Sequence, residues 1–595
     1  MINQEIAKIF YEMAIYFEMQ DVAFKPQAYE KAAVNLDSLS EDVKNIYKKE
    51  RINGLMKIPA IGKGLAEKIE EYLKTGKIKE YFELKKKTPV EIAELIAVEG
   101  VGPKKISVLY KVLGIKNLKD LEKAAKEGKI ASLFGFGEKT ENNILEGIEF
   151  LKKSAGRFLL GEILPQVKKI ENQLKELKEV KKISVAGSVR RMKETVGDVD
   201  FLVASDKPIK VMDSFVSLPG VIKIWGKGTT KTSVRLGMDF DPIRKEFSNG
   251  VDMDIRVVPE KSFGAALQYF TGSKEHNIAL RKIAIEKGFK LNEYGLFRNA
   301  KTIAGKTEEE IYEKLGLDYI EPEMRENAGE IELALRHTQG KPKGLPKLVE
   351  TKDIKGDLQI QTNWSDGANT IEEYVEEAVN IGLEYIAITD HTKSLMVANG
   401  LDEKRILKQI KEIDEINLKL KNQSAGWRTK FRVLKGTECD ILKDGSMDIN
   451  DKVLEKLDIV GASVHSNFNL PKAEQTKRII RAMENKNVDI IFHPTGRRIK
   501  RREPYDIDID EIVKAAKRTK TVLEINSYPD RLDLKDEHIR KCVEAGVKMS
   551  IDSDSHAINH LKNLNYGVSQ ARRGWAEKKD IINAWPAEKT LGMLK

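Results

Sequence analysis

Apolar residues recur at near-helical spacing from the start of the chain, with Ile6, Phe10, Ala14 and Phe17 on one stripe. That period predicts an amphipathic helix, and residues 1–150 continue as helices joined by short polar turns. The texture changes at Ile183. Ile183-Ser184-Val185, Val199-Asp200-Phe201-Leu202-Val203 and residues 251–258 are β-rich runs that read as strands. Residues 261–318 return to a helix-rich pattern with a turn at Tyr294-Gly295. Gly340-Lys341-Pro342-Lys343-Gly344-Leu345-Pro346 then reads as a linker. Beyond it, apolar runs at 386–388, 433–434, 459–460, 490–492, 522–525 and 549–551 alternate with amphipathic helices. Strand–helix alternation of this kind predicts a parallel α/β barrel.

Composition narrows the class. A chain of 595 residues fits roughly four domains. No segment approaches the ~18 consecutive apolar residues of a membrane helix, and Met1–Phe10 mixes charge with apolar residues, unlike a signal peptide. Membrane and secreted classes are therefore set aside. Two cysteines, Cys439 and Cys542, are too few for a disulfide framework and suit a reducing cytoplasm. The net charge is +10, of which residues 1–350 carry +8 (61 Lys+Arg against 53 Asp+Glu). That excess points only weakly to a polyanionic partner.

A repeat sharpens the suggestion. Ile58-Pro59-Ala60-Ile61-Gly62, Val98-Glu99-Gly100-Val101-Gly102 and Leu133-Phe134-Gly135-Phe136-Gly137 share one pattern, spaced 40 and 35 residues apart. Lysines follow each: Lys63 and Lys68, Lys104 and Lys105, and Lys139. Small residues allow a tight turn whose backbone amides open a helix toward a phosphate. The pattern resembles the helix-hairpin-helix motif, which grips nucleic-acid backbone without reading bases. Gly62, Lys63, Gly100, Gly102, Lys104, Gly135 and Gly137 are the candidate DNA contacts. The first copy departs from the pattern in carrying Ala60 where glycine is usual.

The first chemical centre lies at residues 186–200. Asp198 and Asp200 sit two apart on a predicted strand and so share one face. Adjacent carboxylates repel unless cations neutralise them, and two divalent metals would do so. The 251–258 strand, with Asp252 and Asp254, supplies a third carboxylate. Gly187-Ser188 turns from strand to helix with Arg191 behind, a combination of amides, hydroxyl and guanidinium that suits a triphosphate.

From Gly187 to Asp200 the sequence resembles the nucleotidyltransferase signature of family X DNA polymerases. The match continues through Tyr269-Phe270-Thr271-Gly272-Ser273, Asn277 and Arg281 to Asn292-Glu293-Tyr294-Gly295. By that resemblance Asp198, Asp200 and Asp254 hold two Mg²⁺ (or Mn²⁺), and Gly187, Ser188, Arg191 and Gly197 cradle the triphosphate. Tyr269 and Phe270 pack against the sugar, beside Gly272. Asn277 reaches the incoming base and Arg281 the template strand. Asp252 shares the face of Asp254 and stays open as a supporting group. Val196 replaces a hydroxyl-bearing residue of the family. In residues 1–80 the resemblance extends to a helical domain that binds the 5′ side of a gap, where Lys68 takes the place of a Schiff-base-forming lyase lysine, supported by Lys25 and Tyr29. Gly64 stands where a lysine is usual, so a weak 5′-deoxyribose-phosphate lyase and a plain phosphate contact both stay open.

Residues 349–595 resemble the PHP (polymerase and histidinol phosphatase) domain of such polymerases. The landmarks are Asp357-Leu358, Asp366, His391, Glu438, His465, His493, Asp554 and His556. Family members form a distorted (β/α)7 barrel with metals at the strand C-terminal ends. Here the family's His-x-His is Gln359-Ile360-Gln361. A neutral amide is a poor ligand for Zn²⁺ or Mn²⁺. The seven remaining residues make a partly degraded Zn²⁺ or Mn²⁺ site, with 3′–5′ exonuclease and abasic-endonuclease chemistry lost or weak. His276, His337, His538 and His560 receive no role.

The expected architecture is therefore multidomain α and α/β. It comprises a helical 5′-end-binding domain (1–80), a second helix-hairpin-helix subdomain (81–155), a mixed α/β nucleotidyltransferase palm (156–260), a small thumb (261–320), a linker (321–348) and the barrel (349–595). The expected function is DNA-directed, gap-filling synthesis in base-excision repair or end processing, using dNTPs on gapped or primer–template DNA. The implied setting is a monomer in a prokaryotic cytoplasm, associated with the nucleoid. An RNA-type nucleotidyltransferase and a non-catalytic DNA-end binder are the alternatives from other classes. The Tyr269-Phe270 pair and the repeats argue against the first, and the intact carboxylates against the second.

Overall fold

The computed structural model describes residues 2–39, 41–98, 100–153, 156–241, 246–335, 344–422 and 431–594. Glu99 of the second repeat, His337 and the linker residues Gly340–Lys343 lie outside the described residues.

The first 153 residues are helical and share one apolar core, including Ile6, Phe10 and Phe17 as the stripe predicts. The three repeats close with the same hydrogen bond, Ile61, Val101 and Phe136 N–H donating to the Ile58, Val98 and Leu133 carbonyls, although Gly137 (φ 92°) departs from the extended Gly62 and Gly102. Gly62 and Gly102 cap the helices Lys63–Thr75 and Pro103–Leu113, and Gly137 precedes the helix Glu138–Lys153. Gly100 (φ 76°), Gly135 (φ 84°) and Ala60 (φ 60°) hold the same left-handed position. The departure at Ala60 therefore leaves the turn's shape unchanged at a steric cost of about 1 kcal/mol.

The palm is a five-stranded mixed sheet in the order Lys182–Val185, Asp198–Ala204, Glu246–Val258, Lys231–Asp241, Val221–Lys227. The last two strands were not expected. Val221–Lys227 is the edge strand, where Ile222, Ile224 and Trp225 are open to solvent and give no buried alternation to read, whereas Lys231–Asp241 lies inside the sheet and does bury Thr232, Val234 and Leu236 in alternation. Residues 290–304 correct the helix-rich reading, because Lys290–Asn292, Gly295–Arg298 and Lys301–Ala304 form an antiparallel sheet turning at Glu293-Tyr294. The expected linker also begins later than 321. Met324, Arg325, Glu330, Ile331 and Ala334 are buried, and Leu335 pairs with Leu317, so residues 321–335 complete the thumb. Arg325 is wholly buried between the Tyr312 and Tyr319 rings, with its guanidinium 2.6 Å from Glu308.

Seven parallel strands in sequential order form the C-terminal barrel: Gly356–Ile360, Tyr385–Ile388, Arg432–Asp440, Ile459–Ser463, Ile490–Ile491, Val522–Asn526 and Met549–Asp552. A parallel bridge between Ile360 and Ser555 brings the first strand to the end of the last, leaving the barrel nearly closed. The helix Leu564–Arg573 ties the barrel to the polymerase half. Arg572 binds Glu321 and Glu323 of the thumb, while Arg573 joins Glu326 to Asp536 of the barrel and donates to the Arg191 carbonyl.

Candidate functional site

The polymerase-like centre is built by strand register. Asp198–Ala204 runs parallel to Glu246–Val258, with Asp198 opposite Asp252 and Asp200 opposite Asp254. Residues two apart share a face, so four carboxylates line one edge across neighbouring strands about 4.8 Å apart. They are not equivalent. Asp252 accepts from Trp225 Nε1 at 2.8 Å and pairs with Arg235 at 3.0 Å. Asp254 pairs with the Lys231 ammonium at 2.6 Å. Burial, reinforced by the charges of Asp198 and Asp254, pushes the Asp200 carboxyl up to about 6. A carboxyl raised by burial and by its like-charged neighbours, and an ammonium already seated on one of them, are the marks of a set that fits divalent cations.

The turn beside it is shaped to that carboxylate. Gly187 has φ 60°, and a Cβ there would lie 2.6 Å from Asp200 Oδ2, so only glycine lets the backbone approach. Ser188 follows on the short helix Gly187–Arg190. Gly197 lies at the mouth of the Asp198 strand, within reach of the Arg157 guanidinium.

Other expected residues are placed differently. Arg191 is not free to meet a triphosphate, since its guanidinium donates to the Thr271 carbonyl and pairs with Glu326. Asn277 is turned inward. Its Oδ1 accepts from Gln268 at 2.6 Å and its Nδ2 donates to the Tyr269 carbonyl at 2.7 Å, so both ends of the amide brace the helix Phe263–Thr271. Tyr269 and Phe270 meet edge to face at 5.1 Å, and Arg256 lies over Phe270. Gly272 adopts φ 71° against the Arg191 guanidinium. Arg281 is exposed, with its Nε on the Asn277 carbonyl. Sequence reasoning missed Arg190, which binds Glu308 with both terminal nitrogens and reaches the Thr271 hydroxyl. The doubled Arg190-Arg191 after the glycine-serine turn was the available signal.

In the N-terminal domain Lys68 does not stand open. Its ammonium pairs with Glu80, which also takes Lys25 at 3.2 Å and the Tyr29 hydroxyl at 3.5 Å. Glu80 went unnoticed because it lies twelve residues from Lys68 on a different helix, Lys79–Lys87.

The barrel centre gathers at the strand C-terminal ends. Among the described residues, two groups bring ligand atoms within 4.8 Å of one another: Asp366, His391 and His556, and His391, Glu438 and His465. Glu438 is the hub. Its Oε1 accepts from Ser463 at 2.6 Å and lies 2.8 Å from His493 and 3.3 Å from His465. Burial alone would raise its carboxyl, but His391, His465 and His493 hold it well below the usual range. His465, against burial, is lifted to about 9 by Asp440 and Glu438. These two groups fit transition metals in donor type and spacing. The third position does not fit. Gln359 and Gln361 both donate through Nε2 to Glu438 Oε2, at 3.1 and 2.8 Å. Asp554 is engaged by Arg531 at 3.0 Å and by Asn526 at 3.1 Å.

Comparisons with known proteins agree with this division. Family models match for a helix-hairpin-helix domain (residues 1–78), a helix-hairpin-helix tandem (92–149), the DNA polymerase beta thumb (266–326) and the PHP domain (357–528). The chain is 40% identical over 586 residues to the DNA polymerase/3′-5′ exonuclease PolX of Bacillus subtilis (strain 168), covering 98% of this chain and 97% of that protein. It is also 34% identical to a probable phosphatase of Thermoanaerobacter sp. (strain X514), over 36% of this chain and 91% of that protein.

Proposed function

The chain belongs to the PolX group of family X DNA polymerases that carry a PHP domain, and on that premise we propose that it fills gaps in duplex DNA at the Asp198–Asp200–Asp254 centre. The observation that carries the reading is the register of Asp200 against Asp254 beside the Gly187 turn.

Asp198, Asp200 and Asp254 would hold the divalent cations, and the Lys231 ammonium marks one place where positive charge already settles. Bound there, such cations lower the pKa of a primer 3′-hydroxyl and neutralise the charge on a nucleoside triphosphate. The chain's own work is positioning. The Gly187 turn brings backbone amides and the Ser188 hydroxyl beside the carboxylates, where triphosphate oxygens would accept from them. Arg190, Arg191 and Glu308 fix the Thr271–Ser273 turn that leads from Tyr269 and Phe270. Those rings stand as the sugar-facing wall, and their tight packing disfavours an added 2′-hydroxyl. Asn277 acts through that helix as a brace. The helix-hairpin-helix turns hold duplex backbone through Gly62, Lys63, Gly100, Gly102, Lys104, Gly135 and Gly137, without base readout.

In the barrel, metal binding is restricted to the two histidine-carboxylate groups, and nuclease chemistry is weak because amide N–H groups occupy Glu438 Oε2.

Primer extension on a one-nucleotide gap with Mg²⁺ tests the main reading. Efficient dNTP addition, poor NTP addition and loss of both in Asp254→Ala are expected. No Mg²⁺-dependent extension by the parent chain overturns it, and preferential NTP use moves it to the RNA-type class.

A further inference from the structure

One strongly charged segment has no part in the sites above. Residues 496–504 of the barrel read Gly-Arg-Arg-Ile-Lys-Arg-Arg-Glu-Pro. The loop touches the palm, where Arg497 pairs with Glu194 at 2.8 Å and the Lys500 ammonium donates to the Arg157 carbonyl. Arg498 lines the cleft that holds His391 and His556. Arg501 and Arg502 line a second cleft of about 640 Å³. Its other wall is the helix Glu138–Lys153, which follows the third glycine turn and contributes Lys139 and Asn143, while Lys443 and Asn469 help to close it.

We propose that this second cleft binds single-stranded DNA. Lys139, Lys443 and Arg501 are exposed, and Arg501, 63% exposed, approaches a carboxylate only at 3.8 Å (Asp530). With Arg502 they outnumber the two acids at the rim, Glu146 and Glu503. Cations spaced along a groove track a phosphate backbone. Arg502 lies 4.2 Å over the Phe468 ring, which stacks on Tyr505 and stiffens that wall. Phe134 is fully exposed on the turn leading into the opposite wall. A flat apolar face left in solvent, five residues before Lys139 of the groove, suits stacking of an unpaired base. The walls come from two domains, the helix after the third glycine turn on one side and the barrel loop on the other. The loop also runs from the palm edge near Gly197 to the histidine-lined cleft, so a strand lying along it connects the two centres.

This inference rests on the gap-filling reading, and the test separates the two. An unpaired primer 3′ tail and a template overhang carry the same chemistry. Fluorescence anisotropy would compare three gapped duplexes: one untailed, one with a primer 3′ tail of about ten thymidines, and one with a template overhang of the same length. The parent chain should bind at least one tailed duplex about tenfold more tightly than the untailed one, and the tail that confers the gain identifies the source. In Lys443→Glu/Arg501→Glu that gain should vanish, with the salt slope for the tailed duplex reduced by roughly 1.4 for two lost phosphate contacts. Phe134→Ala, which touches no packing, should reduce the gain alone. A gain that survives the double substitution, no gain in the parent, or equal weakening of all three duplexes overturns the proposal. Failure to bind and extend the untailed duplex would instead sink the gap-filling reading.

Discussion

Gln361 Nε2 donates to Glu438 Oε2 at 2.8 Å, and Gln359 Nε2 donates to the same oxygen at 3.1 Å. Two amide donors thus satisfy a buried carboxylate oxygen that a cation would otherwise share. Replacing both by histidine, as Gln359→His/Gln361→His, should raise bound transition metal by about one ion per chain and bring 3′–5′ exonuclease activity up by at least tenfold. Metal content by mass spectrometry, together with digestion of a labelled primer, checks this. Strong exonuclease activity in the parent chain contradicts it.

The palm carboxylates should separate by partner. Asp252, opposite Asp198, is occupied by Trp225 and Arg235, whereas Asp254, opposite Asp200 beside the Gly187 turn, pairs with the Lys231 ammonium, a single charge that a divalent cation can displace. Asp254→Asn should lower primer extension by on the order of a hundredfold or more. Asp252→Asn should keep extension within about threefold of the parent, losing chiefly its ion pair with Arg235 while the amide oxygen still accepts from Trp225. Equal losses in the two variants would mean that the register does not sort their roles.

Glu80 covers Lys68, and this sets the expectation for lyase chemistry. Borohydride trapping on a 5′-abasic nick should give little adduct with the parent chain. Glu80→Gln should raise it severalfold by releasing the amine, and Lys68→Ala in that background should remove it. Abundant trapping by the parent would show that the ion pair opens readily on DNA.

The thumb should be acid-sensitive. Burial opposes ionisation of Glu308, yet Arg325 and Arg190 hold its carboxyl down to about 2, against an ordinary 4.5. A depressed carboxyl contributes stability that is complete above pH 4.5 and is lost as the pH falls toward 2, amounting to about 3 kcal/mol. Thermal unfolding followed from pH 6 to 2.5 should show a decline that Glu308→Gln flattens. The variant should also start lower at pH 6, because Arg325 is left buried without its counter-charge.

The fold was legible wherever burial imposes a pattern. The barrel strands buried on both faces read as apolar runs, and the Asp198/Asp200 spacing placed both carboxylates on one face before any coordinates. The edge strand 221–227 escaped because its apolar residues meet solvent, and the inner strand 231–241 because its buried face, Thr232, Val234 and Leu236, mixes a polar residue among two apolar ones. The thumb sheet at 290–304 escaped because its strands are three or four residues long. At the site, residue types and spacing pointed to Asp198, Asp200 and the glycine turn, while the choice of Asp254 over Asp252 came from the family resemblance. They could not reveal that Arg191 and Asn277 spend their polar groups on Thr271 and Tyr269, nor that Glu80 covers Lys68, since each is a long-range partner choice made by packing.

The Arg572–Arg573 clamp has a mechanical consequence. Thumb residues Glu321, Glu323 and Glu326 are tied through one helix to Asp536 of the barrel, and Arg573 also grips the Arg191 carbonyl beside the glycine-serine turn. Any swing of the thumb must either shear this joint or drag a quarter-thousand residues with it. Even a chemically silent barrel is therefore a mechanical anchor, holding the thumb and the glycine-serine turn in one fixed relation through two neighbouring arginines.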